Sequence, residues 1–171
     1  MFVLPVYQSV MQVTVIQRKL VQFITLLLLM LITGLFWGTW FSLSRSIENF
    51  SASEFINIGK TIIVNVANPM RVIMPLCIFL MAVSLWLHPD KRSVAFYLIL
   101  TSFVLLIVTL IITVGIEVPM DNQIKTWSPE TVPSDWTAIR NRWQLFHTMR
   151  TFTSLASFSL FTAASFETFK R

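Results

Sequence analysis

Apolar residues dominate four long stretches of the chain, and polar clusters separate them. Leu20 to Leu43 runs almost without charge between Arg18-Lys19 and Arg45. A helix rises about 1.5 Å per residue, so roughly 20 apolar residues cross the hydrocarbon of a bilayer. The pattern therefore predicts a first span over residues 20–43. It has the charged front of a signal peptide, but no small-x-small cleavage site follows, so the helix is expected to be retained. Gly34 and Gly38 are four apart and suit the close approach of a neighbouring helix. Residues 1–17 are also apolar, broken by Gln8, Ser9 and Gln12, and either extend this helix or lie along the interface.

Ser51-Ala52-Ser53-Glu54 fits a capping box, in which a serine oxygen and a glutamate carboxylate satisfy free amides reciprocally. A helix starting there meets Asn68-Pro69, where proline removes a donor and a kink or break is expected. The second span follows over 70–87, and His88-Pro89-Asp90-Lys91-Arg92 makes a polar turn into a third over 93–116. Residues 117–134 read as a polar connection with prolines at 119, 129 and 133. Ser134 offers an N-cap for a final helix reaching about Phe169. At about 50 Å that helix outlasts the bilayer, so only its second half, 150–169, is expected to cross. Thr153, Ser157, Ser159 and Ala163 suit its packing against other helices. The fold class expected is all-α: a transmembrane four-helix bundle with a polar extramembrane cap, residues 45–69 and 117–149, on a long final helix.

Composition supports lipid as the solvent. Of the 171 residues 55% are hydrophobic and 12% charged, about half the charged share of a soluble domain. The net charge of +5 does not indicate a nucleic-acid partner, because the basic residues sit at the ends of apolar runs and form no stripe. With four spans, Arg18, Lys19, Lys91, Arg92, Lys170 and Arg171 share one side. The positive-inside rule makes that side cytoplasmic, with both termini, and puts the cap opposite. Cys77, the single cysteine, lies in an apolar run and reads as a small buried hydrophobe.

Candidate chemistry concentrates on the cap side. Asn65 to Arg71 marks one polar cluster, and Glu117 to Arg150 marks another. Trp136, Arg140, Trp143, His147 and Arg150 recur at steps of four, three, four and three, which aligns them on one helix face. Tryptophan and arginine also anchor helices at membrane interfaces, so an anchoring role stands beside a functional one. Ionisable groups near membrane depth are expensive and are usually paired or functional. Glu117 and Arg71 approach the level of His147 and Arg150, and the four are expected to form a polar pocket. Metal chemistry has little support: the only other histidine, His88, lies in the turn on the opposite side, which leaves His147 with Glu117 and Asp121 for no more than a weakly bound ion. No nucleophile elbow or glycine-rich phosphate loop occurs.

From Pro119 to Thr151 the sequence resembles a known family. The pattern is N-x-x-I/L-x-x-W, then P-x-D-W-x-x-L-R-x-R-W-x-x-x-H-x-x-R-T, and Asn122, Trp127, Trp136, Arg142, Trp143, His147 and Arg150 match it. It is similar to the anthrone oxygenase-like family of small four-helix membrane proteins. Ile139 stands where leucine is common, and Glu117 where a neutral residue such as asparagine is expected. The resemblance implies, for some members, oxidation of an anthrone to an anthraquinone with dioxygen, and it brings no established cofactor. On that basis His147 is expected to remove a proton from an activated C–H and Arg150 to stabilise the enolate oxygen. Trp143 and Trp127 would stack on a flat hydrophobic substrate arriving from lipid, with Asn65, Arg71, Glu117, Asn122, Trp136 and Arg142 as further binding candidates. A non-enzymatic membrane component that binds a lipid or a partner protein is the alternative. A homo-oligomer is compatible with either.

Overall fold

The computed structural model describes the backbone over residues 3–169 and side chains over 15–167. Helix α1 spans Val3–Thr39 and ends in a wide π turn, Trp40–Ser44. Residues 3–17 thus extend α1. Helix α2, Ala52–Trp86, starts at the expected capping box: Ser51 Oγ accepts from the Glu54 amide at 3.3 Å, and Glu54 Oε2 accepts from the Ser51 amide at 2.8 Å. Helix α3, Val94–Ile112, passes through a second π turn, Thr113–Glu117, into α4, Val118–Lys125. Helix α5 is Trp136–Phe169, and among the described residues there is no strand. Lys170 and Arg171, counted toward the basic side, lie outside the described residues.

Two boundaries correct the sequence reading. α2 is not broken at Asn68-Pro69; it continues through both Pro69 and Pro75. A proline costs one amide bond and crowds one turn, which a 35-residue helix packed on its neighbours absorbs. The polar connection begins later than expected, because residues 118–125 are helical. Pro119 lies in the first turn of α4, just past the π turn, and costs that continuous helical run one N–H bond. The 88–92 turn forms as expected. Asp90 Oδ1 accepts from the Arg92 amide at 2.9 Å, Ser93 caps α3, and Lys91 donates to the carbonyls of Leu85 and Trp86 at the end of α2.

Three segments are long and apolar enough to cross a membrane: Val15–Ser44, Ala52–Trp86 and Val94–Lys125. Their outward faces carry exposed Phe23, Leu31, Val72, Phe79, Val104 and Ile111, an apolar exterior suited to lipid. The chain is an integral membrane protein. α5 is built inside-out relative to a soluble helix: Leu145, Met149, Phe152 and Phe166 are exposed, while Thr151, Ser154, Ser157 and Ser165 are buried. Those hydroxyls lower its hydropathy and tie it into the bundle. Ser154 Oγ lies 2.7 Å from Thr33 Oγ1 on α1, and Thr153 Oγ1 lies 2.8 Å from Thr109 Oγ1 on α3. Ser102 and Ser157 each donate to the other's carbonyl, at 2.7 and 2.8 Å. Between the hydroxyls pack Leu29, Ile32, Met81, Ile99, Leu106 and Phe161, with Cys77 fully buried among them.

The expected close approach at Gly34 and Gly38 is absent, since a Cβ at either position would meet nothing within 4 Å. α1 turns Ile32, Thr33 and Phe36 inward instead, and the glycines face outward. A second apolar cluster holds the cap. Ile47, Phe55 and Ile56 pack with Met120, Ile124, Trp127 and Trp143, fastening α4 and the start of α5 onto the first turns of α2. Lys60 on α2 donates to the Trp127 carbonyl across this layer.

Candidate functional site

The inward face of the third helix runs through Thr109, Thr113, Glu117 and Asp121, at steps of four. An α-helix has 3.6 residues per turn, so such a row drifts; the wide π turn at 113–117 absorbs the drift and keeps both carboxylates toward α5. α5 answers with Trp143, His147 and Arg150, one turn apart.

Arg150 is the hub. Its Nη2 lies 3.0 Å from Glu117 Oε2, and the Glu117 side chain is 0% exposed. The approach is off-line for a hydrogen bond, so Glu117 keeps both oxygens buried without a hydrogen-bond donor. Arg150 also donates from Nε and Nη2 to His147 Nδ1, at 3.1 and 2.9 Å, and stands over the Phe36 ring at 4.7 Å. A guanidinium only donates, so Nδ1 is the acceptor and the neutral ring carries its proton on Nε2. That Nε2 is buried, with the Phe36 carbonyl near the ring but no partner in hydrogen-bonding geometry. Trp143 stacks on the imidazole with centroids 4.9 Å apart and planes within 5°. The indole Nε1–H in turn donates to Asp121 Oδ1 at 3.1 Å.

These groups face a cavity of about 300 Å³ between the helices. Leu35, Phe36, Ile63, Met70, Met74 and Leu110 make its walls apolar, and Thr39, Arg71, Thr113, Asp121, Trp143, His147 and Arg150 supply its polar atoms. The volume lies at the lower end of small-molecule sites, and the lining has their usual character, apolar with a few convergent polar groups.

Of the residues singled out from sequence, Arg71, Trp143, His147 and Arg150 line this cavity, and Glu117 stands behind Arg150 as its counter-ion. Asn65 lines a separate groove between α1 and α2, floored by Gly34 and Gly38. Trp127 is buried in the cap layer. Trp136 packs on Phe55 with the Arg140 guanidinium 5.3 Å above its ring. Arg142 is exposed beside Phe146, and Asn122 is exposed and accepts from Lys125 Nζ at 3.2 Å. None of these last five reaches the cavity. Asp121 also lines the cavity; the sequence offers it only as a ligand of a weakly bound ion with His147 and Glu117, because residues 117–134 read as an irregular connection, and its i+4 spacing from Glu117 is the signal for a shared helix face. Phe36 and Thr39 come from α1, whose apolar run carries no mark of a site. His88 lies in the 88–92 turn, its Nδ1 3.0 Å from the Asp90 carbonyl, and burial is the main cause that holds its pKa below the ordinary value. Among the described residues no group of three or more His, Cys, Asp or Glu is arranged to hold a metal.

A family model described as anthrone oxygenase matches residues 61–160, which include every lining residue except those on α1. No curated protein and no solved structure matches the chain.

Proposed function

The chain belongs to the anthrone oxygenase family, and from that premise we propose that it is a membrane-embedded oxygenase that converts the methylene of a flat hydrophobic anthrone to a carbonyl. The overall change is balanced: the CH₂ carbon is oxidised by four electrons, dioxygen is reduced, one oxygen atom enters the carbonyl and the other leaves as water. Removing a proton from the methylene makes the ring carbonyl oxygen negative, and catalysis consists largely of stabilising that charge.

One observation carries the reading: a neutral imidazole whose buried Nε2–H has the Phe36 carbonyl nearby but no hydrogen bond, beside a largely apolar cavity. This geometry supports a different role for the histidine from the proton acceptor expected from sequence. Its lone-pair nitrogen is occupied by Arg150, so His147 acts as a donor to the developing oxyanion and not as the base. Arg150 adds positive charge from behind and fixes the tautomer. Trp143 supplies the flat face. The walls of Met70, Met74 and Leu35 suit a substrate that partitions from the bilayer. We read the basic 88–92 end as cytoplasmic, α5 as the fourth crossing and the cavity end as lying on the opposite side.

Purified protein in lipid nanodiscs, given an anthrone in buffer with dioxygen, should consume oxygen and form the quinone faster than the buffer does. His147→Gln should lower that rate about 100-fold or more, the size expected for an oxyanion donor, with thermal unfolding little changed. A folded His147→Gln protein with unchanged turnover would sink the proposal. The groove floored by Gly34 and Gly38, about 350 Å³ in volume, favours a second reading, a membrane component that binds lipid. That reading is preferred if wild-type protein leaves an anthrone unconverted but retains a lipid through purification.

A further inference from the structure

An oxyanion donor without a proton acceptor cannot start this chemistry, and the geometry narrows the acceptors to one. His147 Nδ1 already receives two guanidinium N–H groups. Glu117 is fully buried, paired with Arg150, and does not line the cavity. Among the described residues that do line it, Asp121 is the only carboxylate. We propose that Asp121 is the catalytic base, taking the proton from the substrate methylene; this assignment rests on the oxygenase reading above.

Asp121 and His147 are set on two parts of one ring. The carboxylate is tied to the indole edge of Trp143 at 3.1 Å, and the imidazole lies against the indole face, centroid to centroid 4.9 Å. An anthrone has its acidic methylene and its carbonyl on opposite sides of the central ring, so acceptor and donor must meet opposite ends of that ring. Asp121 and His147 touch Trp143 at different places, its edge and its face, and both line the cavity. Oδ1 is engaged by the indole N–H, which leaves Oδ2 for the substrate.

The steps balance without a further reactant. Asp121 takes one methylene proton, and the carbanion's electron pair forms the C–O bond as dioxygen is reduced. The peroxide anion then recovers the proton from Asp121. Loss of the second hydrogen as a proton, with cleavage of the O–O bond, leaves the carbonyl and releases water.

Holding Trp143 in place is the competing role for Asp121, and Asp121→Asn separates the two. The amide oxygen still accepts from the indole N–H, whereas the amide is no base. Full-length protein in nanodiscs is tested by anaerobic exchange of the anthrone's methylene hydrogens in D₂O, followed by mass spectrometry, and separately by oxygen uptake. The anaerobic assay reads proton abstraction before any oxygen chemistry. Asp121→Asn should lose about 100-fold or more in both rates above background, while quenching of tryptophan fluorescence by the corresponding anthraquinone keeps its affinity within about twofold. Asp121→Glu should recover part of the exchange. If Asp121→Asn exchanges and turns over within about threefold of wild type, Asp121 is not the base and the oxygenase reading stands. If wild-type protein shows neither exchange nor uptake, the oxygenase reading and this assignment fall together.

Discussion

Helix α5 presents one inward face with two characters. From Thr151 to Ser165 the buried polar groups are small hydroxyls, and each has a partner: Thr151 donates to the His147 carbonyl, Ser154 meets Thr33, Ser157 meets Ser102, and Ser165 donates to the Phe161 carbonyl. From Trp143 to Arg150 the same face buries an indole, an imidazole and a guanidinium, and here unpartnered atoms accumulate, at His147 Nε2 and on the Glu117 carboxylate. Hydroxyls satisfied within the bundle hold helices together and have nothing left to offer a ligand. Groups buried with spare donors or acceptors cost stability, and a cavity beside them is where that cost becomes binding or catalysis.

The largest test of this contrast is Arg150→Met. It strands the Glu117 carboxylate, 0% exposed, with no positive partner. Removing one member of a buried ion pair typically costs about 3–5 kcal/mol, because the other charge stays buried. Denaturant or thermal unfolding in detergent should register that loss. The double variant Glu117→Gln with Arg150→Met should regain most of it, since no charge is then stranded. Equal instability of single and double variants would mean that the pair is not the source of the cost, and the contrast between the two halves would lose its main support.

Much of this architecture was legible in the chain, for reasons that also explain the misses. The apolar runs, the capping box at Ser51–Glu54 and the turn at 88–92 are local patterns, and local patterns survive tertiary context. The step pattern that carries Trp143, His147 and Arg150 put them on one face before any neighbour was known. Prolines misled in both directions: of the kink or break expected at Pro69 the break does not occur, while Pro119 looked like part of a loop and lies in the first turn of α4. The second error left Asp121 without a face, so the sequence offered it only as a weak ion ligand beside His147 and Glu117. Gly34 and Gly38 had the spacing of a packing motif, yet which side of α1 meets the bundle is settled by Thr33, Phe36 and their partners on α5. The contributions of Phe36 and Thr39 to the cavity depend on helix rotation, which an all-apolar run does not encode.

Two smaller changes sharpen the comparison from either half of α5. Trp143→Phe keeps a ring against His147 but deletes the N–H that bonds Asp121 at 3.1 Å. A hydrogen bond to a charged group is worth about 1.5–3 kcal/mol, so unfolding should show a loss of that order. In the Asp121→Asn background the same change should cost less, because a neutral acceptor holds the indole more weakly. In the lower half, Ser157→Ala removes the hydroxyl that pairs with Ser102, and the Ser102 hydroxyl keeps its bond to the Ser157 carbonyl at 2.7 Å. With one partner retained on the backbone and no charge exposed to hydrocarbon, the expected loss is about 0.6 kcal/mol, the average for interhelical hydrogen bonds in a membrane. A loss above about 2 kcal/mol, measured under the same detergent conditions, would show that the hydroxyl half carries as much buried polar energy as the charged half. The distinction between a half that binds the bundle and a half that serves the cavity would then fail.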